Sequence, residues 1–113
     1  MVIPERIPNW IDGREQLAVD GCVLSKLNPA TGARLTEAVR SQEADVRVAV
    51  ASAKRAQSAW AALTPVNRGD LLRETALLMR ERQAAFAEIV ALETGKSRKE
   101  ALAETGAAVE MGM

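Results

Sequence analysis

Histidine and tyrosine are absent from the 113 residues, and cysteine occurs once. Without His, no imidazole acid–base mechanism can be carried by this chain alone. No His and one Cys also exclude a structural zinc site. A single Cys cannot build a disulfide framework, which points to a reducing, cytoplasmic setting. Aromatics are limited to Trp10, Trp60 and Phe86. Charge imbalance is missing too: 15 basic and 15 acidic side chains cancel, leaving no electrostatic footprint for nucleic acid or an anionic membrane. The longest apolar run, Ala59-Trp60-Ala61-Ala62-Leu63, is far too short to span a bilayer. The opening residues, MVIPERIPNW, lack the apolar stretch of a secretory signal. Neither nucleic acid nor membrane is expected as a partner.

What the chain has in quantity is alanine, 21 residues of it. Alanine favours helix and lets helices approach closely, but it contributes little buried area. The length suits one domain, or a piece of a larger one. Alone, a chain of this size buries only roughly two-thirds of its unfolded surface. Helices of this composition want partners, so a fragment or subunit is the expectation.

Residues 1–40 hold Pro4, Pro8 and Pro29 with Gly13, Gly21 and Gly32, and short apolar runs lie between these breakers. Asp12-Gly13 and Asp20-Gly21 are turn dipeptides. The segment reads as a small hairpin or meander, with Asn28-Pro29-Ala30-Thr31-Gly32 as a loop. Asn before Pro is held extended, and Gly32 can take positive φ. From Ser41 the pattern becomes helical. Ser41 is the expected N-cap, with Glu43 and Asp45 in the first turn. Val46, Ala49, Val50, Ala53, Gln57 and Trp60 then form one stripe. Thr64-Pro65 starts a second helix, whose broad stripe over residues 71–92 suggests burial on two sides. Gly95 ends it. Ser97 and Glu100 make a capping box for a third helix from about Arg98 through Val109, and no stop signal follows it.

Chemistry is sparse. No Gly-x-Gly-x-x-Gly or complete P-loop occurs; Gly95-Lys96-Ser97 echoes the end of one, but Val90 stands where its first Gly belongs. Cys22, in a predicted strand with no base to activate it, reads as a half-buried packing residue rather than a nucleophile. Trp10 and Trp60 read as core or interface anchors. Glu100, Glu104 and Glu110 read as a solvated helix face. Nothing in these residues, taken by themselves, catalyses.

The landmarks nevertheless come in a telling order: Asn9-Trp10-Ile11-Asp12-Gly13, Asn28-Pro29-Ala30-Thr31-Gly32, Ser41 to Val46, Trp60, Arg68-Gly69-Asp70-Leu71-Leu72, and Leu92-Glu93-Thr94-Gly95-Lys96. Over residues 7–105 this resembles the N-terminal segment of NAD(P)-dependent aldehyde dehydrogenases. The resemblance implies an α/β fold class. An N-terminal β-hairpin region over residues 1–40 would precede three helices over residues 41–113. Those helices would belong to the helical part of a Rossmann-like cofactor-binding domain, expected to be truncated at residue 113. It also implies a full-length homo-oligomer acting on a small-molecule aldehyde, with a Cys nucleophile, a Glu that activates water, and preorganised oxyanion donors. Those residues and the NAD or NADP phosphate turn fall beyond this chain, so no catalytic or cofactor-binding residue is expected within it, and the fragment alone is expected to be inactive. By position, the carbonyls of Lys26 and Leu27 with the Glu93 carboxylate correspond to a monovalent-cation site. Glu104 and Ala108 correspond to the substrate entry tunnel. Ser97 replaces a Pro common in relatives, and Glu93 an Asp.

Two other readings fit the residues. One is a free-standing helical module that dimerises through residues 71–92. The other is a non-catalytic remnant that binds a larger relative.

Overall fold

The computed structural model describes residues 3–113. Five short strands come first: β1 (Arg6–Ile7), β2 (Asn9–Ile11), β3 (Arg14–Gln16), β4 (Val23–Leu27) and β5 (Arg34–Val39). Four helices follow: α1 (Glu43–Ala62), α2 (Pro65–Glu81), α3 (Gln83–Thr94) and α4 (Arg98–Met111). Two compact units divide them. One holds residues 3–27 and 34–62, the other residues 28–33 and 63–113. The change in composition near residue 40 marks where strands give way to helices, whereas the compact units keep α1 with the strands.

In the first unit, Asp12 and Gly13 both take positive φ (58° and 72°). They close an antiparallel hairpin in which Trp10 faces Glu15 across β2 and β3. This is the primed turn whose twist matches paired strands. A separate three-stranded sheet has the order β1-β5-β4, with β1 parallel and β4 antiparallel to β5. Thr36 of β5 is fully buried, and its hydroxyl donates to the Pro4 carbonyl at 2.5 Å. Helix α1 does not use Ser41 as its cap. The Ser41 hydroxyl is engaged by Asn9 at 2.8 Å, while Asp45 reaches back to the Gln42 amide at 2.7 Å. Its other carboxylate oxygen accepts the Val19 amide at 2.8 Å. Tertiary pairing with β2 took the serine, and a buried aspartate does its work.

The second unit departs from the expected helix count. The single helix expected between Pro65 and Gly95 breaks at Arg82, so the described residues form four helices rather than three. No proline or glycine marks the place. The Arg82 amide closes onto Met79 (3.1 Å), and its carbonyl already accepts the Phe86 amide (3.1 Å). Close packing against α4 surrounds the break. A Cβ at Gly112 would lie 2.9 Å from the Ala76 methyl of α2, and one at Gly106 would lie 3.0 Å from Gln83 of α3. Both glycines admit a neighbouring helix that a larger residue would hold off. Gln83 then donates to the Leu102 carbonyl at 3.1 Å. The helix signals read from sequence hold elsewhere. Thr64 caps α2 with Pro65 in its first turn, Gly95 ends α3 at φ 73°, and Ser97 and Glu100 form the capping box of α4. Helix α4 closes at Met111, where the Gly112 amide bonds the Val109 carbonyl at 3.0 Å.

Apart from Ile11 and Val109, the buried apolar side chains are alanines. In the second unit the buried apolar residues are Ala76, Ala87, Ala101 and Val109. On α1, Val46, Val50 and Trp60 stay exposed along the stripe that would face a core, and Leu71, Leu72 and Leu78 do so on α2. No helix among the described residues is long and apolar enough to cross a membrane.

Candidate functional site

The second unit contains an apolar concavity of about 280 Å³ where three helices meet. Helix α3 supplies Phe86 and Val90, one turn apart on the same face. Helix α2 supplies Met79, and α4 supplies Glu104, Ala108 and Val109. Thr105 also borders it, but its hydroxyl is already donated within α4, to Ala101 at 3.0 Å. The structure thus brings Glu104 and Ala108 to the wall of one concavity, four residues apart on α4.

Local chemistry sets what stands at its edge. Gly95 in the left-handed region stops α3, and the Ser97 capping box starts α4 two residues later. Lys96 is pinned between them. Its ammonium pairs with the half-exposed Glu104 carboxylate. This partner was not legible in the sequence, because Lys96 lies in the connection before α4 rather than on the helix.

The other candidate residues are placed as follows. Lys26 and Leu27 end β4 at an irregular step in its register with β5. Glu93 lies in the last turn of α3, in the other unit. No group of three or more His, Cys, Asp or Glu side chains suited to a metal exists among the described residues. Glu100 is consumed by its capping box, and hydrogen bonds from Ser97 hold its carboxyl below the ordinary value of 4.5. Glu110 pairs loosely with Arg80 at 3.8 Å.

Cys22 is exposed rather than half-buried, in the turn before β4 rather than in the strand. Its amide donates to the Asp20 carboxylate at 2.9 Å, and Asp20 pushes the thiol above its ordinary value of 9.0. That is the opposite of an activated nucleophile. Trp10 is 70% exposed and anchors no core in this chain. Trp60, at 42%, sits on an open shelf formed by one face of α1 with Val50 and Ala53.

The amide ends of α2 and α4 are closed by Thr64 and Ser97, and among the described residues no glycine turn joins a strand to a helix as in the dinucleotide-binding motif.

A family model described as the aldehyde dehydrogenase family matches residues 18–112. A betaine aldehyde dehydrogenase of Rhizobium leguminosarum bv. trifolii is 40% identical over 94 residues, which cover 83% of this chain and 19% of that protein. Two solved structures share the fold closely. An NADP-dependent enzyme of E. coli matches with a TM-score of 0.92 and 34% identity, over 95% of this chain and 22% of that one. An NAD-dependent aldehyde dehydrogenase of Sinorhizobium meliloti matches with a TM-score of 0.91 and 29% identity, over 97% of this chain and 22% of that one. The chain spans about a fifth of the length of the curated relatives it matches.

Proposed function

The chain belongs to the aldehyde dehydrogenase family, and from that premise we propose that it forms the N-terminal part of an enzyme oxidising an aldehyde to a carboxylic acid with NAD or NADP. The observation that carries this reading is the match of almost the whole chain to about a fifth of a much longer fold. The exposed apolar stripes on α1 and α2 support it, since they are faces built to be covered.

In this reading the described residues do no chemistry themselves. Cys22 is a surface thiol, and the nucleophile, the water-activating carboxylate and the cofactor turn come from the remainder of the enzyme. When bound, the nicotinamide supplies the hydride acceptor. The part played here is to frame the substrate path, with Glu104 and Ala108 on its wall. The carbonyls of Lys26 and Leu27 and the Glu93 carboxylate lie in separate units and carry no part of the proposal. The working enzyme is a cytoplasmic homo-oligomer.

The test is aldehyde-dependent NAD or NADP reduction, measured for the protein of native length and for residues 1–113 alone. The native-length protein should turn over and the 113-residue chain should not. Turnover by the short chain would refute the division of labour.

A further inference from the structure

We draw no further inference here: the strongest candidate, the apolar face of α1 left exposed from Val46 through Val50 to Trp60, carries nothing beyond the reading already given, since nothing in the structure shows what covers it.

Discussion

Asp45 ties the start of α1 to the chain before it, accepting the Val19 and Gln42 amides with separate oxygens. Such bonds to a charged acceptor are worth about 1.5–3 kcal/mol each when one partner is lost. Asp45→Ala should therefore lower the stability of the native-length protein by about 2 kcal/mol or more in a denaturant titration, and Ser41→Ala by much less. Cys22 provides a chemical check. Since Asp20 raises its pKa, less thiolate is present at mildly alkaline pH than for a free thiol. Alkylation by iodoacetamide should be slower than for a cysteine peptide, and Asp20→Asn should accelerate it; an unchanged rate would contradict the placement. The sequence reading made Cys22 a half-buried packing residue. It misjudged the exposure, because a strand pattern does not reveal where the turn before β4 ends.

At the level of elements, the features legible in the sequence are those set by neighbours in the chain. The Asp12-Gly13 turn, the Thr64-Pro65 start, the Gly95 stop and the Ser97–Glu100 box all depend on a few consecutive residues, and all are present. The break at Arg82 was hidden because no proline, glycine or side-chain cap marks it. Gly112→Ala would press a methyl against Ala76. Overpacking of this kind costs about 1–3 kcal/mol, and Gly112→Ala should lower the melting temperature of the native-length protein, whereas Gly69→Ala, with open space around it, should not. The capping box adds a pH dependence. The folded-state pKa of Glu100 lies below its ordinary 4.5, so its stabilisation is complete above 4.5 and is lost as pH falls through the lowered value. Amide exchange at the start of α4 should increase over that acid range, and Ser97→Ala should abolish the increment. Half of the candidate site was legible in the same way. Phe86, Val90, Glu104 and Ala108 follow helical spacing, whereas Lys96 reaches Glu104 from a loop.

Considered as a whole molecule, the chain buries few large apolar side chains within either unit. The buried set is mostly alanine, so the apolar stripes of α1 and α2 face outward with no partner among the described residues. The isolated 113-residue chain should bind a hydrophobic dye and melt without a sharp transition; a cooperative melt with no dye binding would show that it is self-sufficient. The central claim is that these residues open an aldehyde dehydrogenase several times their length. Intact-mass spectrometry of the native cellular protein bearing this N-terminal sequence tests it most directly. A mass about five times 12.1 kDa is the predicted result, in keeping with the 19% of a relative that the match covers. A mass near 12.1 kDa would contradict the account.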